Sequence, residues 1–306
     1  MERALANAWG RRFTALWWDW CAFWFYSPAP ARMRLFRVAL GSMLFVFYSI
    51  RAVDLMLWFS ETGIMPLSIV PDMLPMNYRQ SIFFYLSSDA AIWIGNAIYL
   101  LALALLALGI RPRYSAGVAF ILHVSFLHRD MVPSYGVDMI ASFFLFYLCF
   151  ADYAEKRKQS SGRTMLGSMA CRLIQIQICI IYAYSGLDKV KGVQWWGGEA
   201  LWGVVSNVQI ARWDFSFVAH FPLLLVAATY STLAWEIYFP VLIWFKPLRN
   251  FMLLFGVALH IGIGLVVNIP FFASIMIISY LVFLDETVAA RIWKKLKQAE
   301  MLSVIR

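Results

Sequence analysis

Long apolar runs alternate with short polar breaks along most of the chain. A run of about 20 residues crosses a hydrocarbon layer of about 30 Å at 1.5 Å per residue. The runs predict transmembrane helices near residues 35–57, 90–109, 113–127, 133–151, 168–187, 219–245, 250–267 and 269–284. Ahead of them the period changes. Trp9, Phe13, Leu16, Trp17, Trp20, Cys21 and Trp24 recur at helical spacing with Arg11, Arg12 and Asp19 between them. That pattern predicts an amphipathic helix within residues 1–30, lying in the membrane interface. The predicted fold class is all-α: a polytopic membrane helix bundle of about eight transmembrane helices over 31–285, with a basic cytoplasmic tail over 286–306.

Composition sharpens this picture. Hydrophobic residues make up 62% of the 306 residues and charged ones 14%, and the mean hydropathy is +0.70. Such a chain has no room for a sizeable soluble domain, so its function belongs to the bundle and its loops. The net charge of +9 is sorted by loop rather than gathered into a patch suited to nucleic acid. With the N-terminus inside, eighteen lysines and arginines fall in cytoplasmic segments and six on the other side. The positive-inside rule then puts both termini in the cytoplasm and the stretch after Tyr182 outside. The partner implied first is the lipid bilayer.

Charge inside the runs supplies the candidate chemistry, because an ionisable side chain in a membrane span is costly and marks a site or a structural pair. Arg51 and Asp54, three apart, are expected to pair on one helix face. Arg37, Arg172 and Glu236 read as a structural set in the inner half. Glu236 lies roughly 22 Å along its span, too deep to meet Lys189. Lys189 itself is either a lysine reaching for the interface or a base in an apolar setting. His123, His128, Asp138 and His260 share the outer half or middle with it. No histidine or cysteine spacing makes a metal signature, while two histidines on different helices, such as His123 and His260, have the placement for axial haem ligation. Cys21, Cys149, Cys171 and Cys179 are expected as free thiols. Two outer segments stand out: 60–89, whose prolines fold it back over the bundle, and the tryptophan-rich stretch after Lys191, expected as a lid.

The residues Tyr182, Gly186, Lys189, Gly192, Trp195, Gly198 and Ala200 form a Y-x3-G-x2-K-x2-G-x2-W-x2-G-x-A pattern. With Leu35-Phe36-Arg37, Gly63, Asp138 and His260, it resembles the HTTM family, the membrane domain shared by vitamin K-dependent γ-glutamyl carboxylases and bacterial proteins. The resemblance implies a multi-pass protein of the bacterial inner membrane with an outward-facing pocket for a reduced quinone or another lipid-soluble small molecule. It implies Lys189 as general base on the hydroquinone, with His260 and Asp138 as partners. Tyr182, Gly186, Trp195, Gly198, His123 and His128 then belong to the pocket or its motif. The chain ends soon after its last span, where true carboxylases carry a large extracytoplasmic domain, and Asp138 stands where they carry a histidine. The alternative is a non-catalytic factor in maturation or export of a small secreted protein or toxin, with an extracytoplasmic peptide or protein as partner.

Overall fold

The structure is a computed structural model that describes residues 2–26, 29–73, 79–151, 153 and 162–304. Regular structure among these residues is helical: α1 Glu2–Phe25, α2 Pro30–Arg51, α3 Leu55–Phe59, α4 Val70–Met73, α5 Asp89–Leu108, α6 Pro112–Arg129 and α7 Gly136–Leu148. There follow α8 Gly162–Val190, α9 Val193–Trp196, α10 Ala200–Val205, α11 Pro222–Leu242, α12 Lys246–Val266, α13 Pro270–Ser279 and α14 Glu286–Val304. Proline in the first turn opens α2, α6, α11, α12 and α13, where its missing N–H costs nothing. The Ser88 hydroxyl accepts from Ala91 N–H to cap α5, and Gly109 ends that helix in the left-handed conformation.

A helix occupies each of the eight expected positions, but not all have the dimensions of a span. Five are long and apolar enough to cross a membrane: α2 with its continuation to Phe59, α5, α8 from Met165, α11 and α12. Six qualify if 270–283 and 286–298, bent by 116° at their junction, count as one. The others fall short for visible reasons. The α7 helix has only 13 residues, and α6 mixes Arg113, two serines, two histidines and Arg129 into its apolar run. The fold is thus an all-helical bundle with several apolar helices able to span a membrane.

The α5–α6 hairpin packs on α2, while α7 and α8 carry the bundle on to α11. Phe36, Leu40, Leu44, Leu103, Phe144 and Leu145 fill its core. The bundle has a short-loop end and a long-loop end. At the short-loop end, Glu286 accepts from the N–H of Ala31 at 2.7 Å and pairs with Arg32 at 3.3 Å, tying α14 to α2. The three inner-half charges do not pair with one another. Arg37 donates to the carbonyls of Leu106 and Ala107, satisfying the end of α5. Arg172 donates to the Phe23 carbonyl at 3.0 Å and stacks on the Phe23 ring, which docks α1 on α8. The outer faces of Trp17, Trp18 and Trp20 remain exposed on α1, as suits an interfacial helix.

At the long-loop end the described parts of the 60–89 segment fold back as expected. Arg129, fully buried, donates to the carbonyls of Met65 at 3.0 Å and Phe59 at 3.2 Å and reaches Glu61 at 3.6 Å. Pro75 and most of the charged segment near 155–160 lie outside the described residues. All four cysteines are free.

Candidate functional site

The motif from Tyr182 to Ala200 explains itself once α8 is seen against α11. A Cβ on Gly186 would lie 3.0 Å from Ile237 Cγ1 and 3.1 Å from the Ile237 backbone nitrogen, so the missing side chain lets the two helices touch. The end of α8 therefore sits beside the middle of α11, and the segment after it touches the first half of α11 at Val226, Thr229 and Tyr230. Leu201 N–H donates to Thr229 Oγ1 at 3.4 Å, and the Tyr230 hydroxyl donates to the Trp196 carbonyl at 2.5 Å. Gly198 turns the chain at φ +77, with Val226 3.0 Å from where its Cβ would be. Trp195 returns to Lys189, its ring centroid 5.3 Å from Nζ. Gly186→Val is expected to lower stability by about 1–3 kcal/mol, the cost of overpacking. The loss should appear as a lower melting temperature, and an unchanged melt would mean that the helices are not in contact there.

This packing overturns the depth expectation for Glu236. Lys189 Nζ lies 3.0 Å from Glu236 Oε1 and 2.8 Å from Oε2, and donates to Ser185 Oγ at 2.6 Å. Only the Oε1 contact has hydrogen-bond geometry; the Oε2 contact is purely ionic. The depth count assumed that α8 and α11 reach the same level at the long-loop end. Glu236 does lie about 21 Å along α11 from Pro222, but α8 stops short and delivers Lys189 to that depth. The pair is well enclosed, with the Lys189 side chain 24% exposed and that of Glu236 9%.

About two helical turns before Lys189, Tyr182 hydrogen-bonds His260 Nε2 at 2.7 Å and the Tyr280 hydroxyl. Its ring is wedged between Trp235 and Phe239 at 4.7 and 4.6 Å. His260 Nδ1 is buried without a hydrogen-bond partner, and the imidazole lies within electrostatic reach of Lys189. Lys189, His260, Tyr182, Gly186, Trp195 and Gly198 thus belong to one region. Beside it, Ile180, Ile181, Tyr184, Ser185, Asp188 and Lys189 line an open groove of ≈ 430 Å³.

Asp138 and His123 belong to a second cluster. Asp138 Oδ1 accepts from the Tyr48 hydroxyl at 2.6 Å and from Arg51 at 2.7 Å, while Oδ2 accepts from Tyr135 N–H at 3.0 Å and caps α7. Arg51 therefore pairs with Asp138, not with Asp54: the chain tightens into a 3-10 turn at 52–54, which breaks the expected face. His123 is bonded at both ring nitrogens, to the Tyr99 hydroxyl at 2.9 Å and the Asp138 carbonyl at 2.8 Å. Both nitrogens being occupied, His123 cannot serve with His260 as a haem ligand. Phe272 stands between the clusters, 5.9 Å from the His260 ring and against Gly136 at the start of α7. His128, at the end of α6, lines neither the groove nor the cavity near Asp138. Burial raises the Asp130 carboxyl above its ordinary range, opposed by the Val132 N–H and the charges of Arg129 and Arg51.

Sequence reading named Glu236 but assigned it away from Lys189, and it missed Ser185, Tyr280 and Tyr48. A lone glutamate in an apolar helix needs a cation or a proton, and that requirement alone could have sent the search to the nearest span bearing a lysine. The tyrosines give no comparable warning, since most tyrosines in such spans only pack. Among the described residues no group of three metal-ligating side chains forms. No family model, no curated protein and no solved structure matches this chain.

Proposed function

We infer that the protein is a multi-pass membrane enzyme that binds a lipid-soluble hydroquinone-like molecule at the Lys189 groove and takes a proton from it. The observation that carries this reading is the Lys189–Glu236 pair, whose lysine lines an open groove with Ile180 and Ile181 on its wall. A hydroquinone has a ring that partitions into acyl chains and hydroxyls that do not. The groove offers isoleucine and tyrosine to the ring, and Ser185 and Lys189 to a hydroxyl.

The proton balance closes with residues on the page. The hydroxyl O–H bond breaks, its proton passes to Lys189 Nζ as the ammonium hands a proton to the Glu236 carboxylate, and the electron pair stays on oxygen. The Lys189 ammonium then pairs with the new phenolate, so no isolated charge is left in a medium of low dielectric. Trp195 holds the ammonium from its other side by a cation–π contact. Tyr182, His260 and Tyr280 supply a hydrogen-bonded chain along which the site can be oriented. This reading extends the resemblance of the Tyr182–Ala200 motif to domains that deprotonate vitamin K hydroquinone. In it all eight helical segments traverse a bacterial inner membrane, both termini are cytoplasmic, and the long-loop end faces outward.

The test uses the protein in lipid nanodiscs with naphthohydroquinone in air-saturated buffer. The monoanion gives two electrons and its remaining proton to dioxygen, which with one further proton yields naphthoquinone and hydrogen peroxide, and quinone absorbance follows the rate. The protein is expected to accelerate oxidation about 100-fold over empty discs, the lower end for a positioned acid–base group. The Lys189→Met/Glu236→Gln double variant should return the rate to background. Equal rates with and without protein would remove the reading.

A further inference from the structure

The second cluster encloses space that the Lys189 site does not use. A cavity of ≈ 40 Å³ lies among α2, α3, α5, α6 and the loop before α7. It has room for roughly three water molecules, or a solute of about four non-hydrogen atoms. Trp58, Phe59, Tyr99 and Phe126 give it aromatic walls. Its polar lining is only partly matched. Asp138 has both oxygens bonded, and His123 has both nitrogens bonded.

Asp130 and Asn96 are the exceptions. Asp130 Oδ1 accepts from Val132 N–H at 2.9 Å, but Oδ2 is buried without a hydrogen-bond partner, in a residue 2% exposed. Asn96, 6% exposed, makes no side-chain hydrogen bond among the described residues. A buried carboxylate oxygen without a donor is unstable, and Asp130, which carries one, lines the cavity together with Asn96. Charge points the same way. Arg51 pairs with Asp138 and Arg129 with Glu61, which leaves Asp130 as the third carboxylate against two arginines.

We propose that this cavity binds a primary ammonium group, with the Asp130 carboxylate and the side-chain oxygens of Asn96 and Ser134, which line it, as its acceptors. An ammonium offers three donors and no acceptor, which matches three oxygens. It cancels the excess negative charge and rests against aromatic faces. A carboxylate ligand would meet Asp130 with like charge, and a neutral alcohol would leave that charge uncancelled. A free small amine and the ethanolamine head group of a phospholipid share this chemistry.

The test titrates the full-length protein, in phosphatidylcholine nanodiscs and amine-free buffer, with ethanolamine and with ethylene glycol. Ethylene glycol matches ethanolamine in size and lacks its charge. Ethanolamine is expected to bind saturably by calorimetry and to raise the melting temperature, while ethylene glycol does neither. Asp130→Asn should weaken ethanolamine at least about tenfold. Asn96→Leu, which fills the cavity and touches no ionised group, should abolish binding and keeps the test open if Asp130→Asn does not fold. Discs of phosphatidylethanolamine separate the sources. Competition there identifies the head group as the occupant, and unchanged affinity identifies a free amine. Absence of saturable ethanolamine binding in phosphatidylcholine discs, an equal response to ethylene glycol, or unaltered affinity in both variants would overturn the proposal.

Discussion

Lys189→Met is expected to destabilise the protein, and the further change Glu236→Gln in the same chain to restore most of the loss. The single variant leaves the Glu236 carboxylate enclosed without its ammonium, since Lys189 Nζ approaches both of its oxygens. Breaking a buried ion pair from one side costs about 3–5 kcal/mol. The low end applies here, because the Lys189 side chain keeps 24% exposure. The double variant removes both charges and preserves most of the side-chain volume, a change that in buried pairs is close to neutral. Melting temperatures of wild type, both singles and the double, in one detergent, complete the cycle. If Lys189→Met melts with the wild type, the lysine is an interfacial side chain and the pair contributes nothing to the fold. The same double variant then separates structure from chemistry, because it folds while losing hydroquinone oxidation.

Much of the fold was legible because apolar run length and proline position are local. The span expected at 90–109 is the helix Asp89–Leu108, bounded by the Ser88 cap and Gly109. The N-terminal amphipathic pattern is the helix Glu2–Phe25. Relations between helices were not local and were read less well. The expected Arg51–Asp54 contact needed a continuous helix, and the 3-10 turn at 52–54 removed it. The expected isolation of Lys189 from Glu236 needed both helices to reach one level. That condition failed because Gly186 brings α8 against Ile237, leaving Gly198 and Leu201 to meet α11 at Val226 and Thr229. The motif glycines held that information, but spacing alone does not say which helix a glycine lets approach.

Asp138→Ala is expected to lower the folded yield and the melting temperature more than Asp138→Asn does. Three hydrogen bonds end on this carboxylate, from Tyr48, Arg51 and the Tyr135 N–H, and they tie α2 to the start of α7. Alanine removes the helix cap, worth about 1 kcal/mol. It also leaves Arg51 with the Pro133 carbonyl and the rings of Phe47 and Tyr48 in place of a carboxylate. The orphaned Arg51 side chain is 26% exposed, which holds the added loss to about 3 kcal/mol, the low end for a broken buried pair. Asparagine keeps one acceptor oxygen for Tyr48 and Arg51 but turns an amide N–H toward the Tyr135 N–H, so it loses the Arg51 ion pair and the Tyr135 bond while sparing the Tyr48 bond that alanine also removes. Fluorescence-detected size exclusion gives the folded yield, and melting gives the stability. Hydroquinone oxidation per folded molecule decides whether Asp138 also serves Lys189. With Phe272 standing between Gly136 and His260, the Asp138→Asn rate is expected within a factor of about two of wild type, a shift worth less than about 0.5 kcal/mol. A tenfold fall would instead mean that the two clusters act together across that ring.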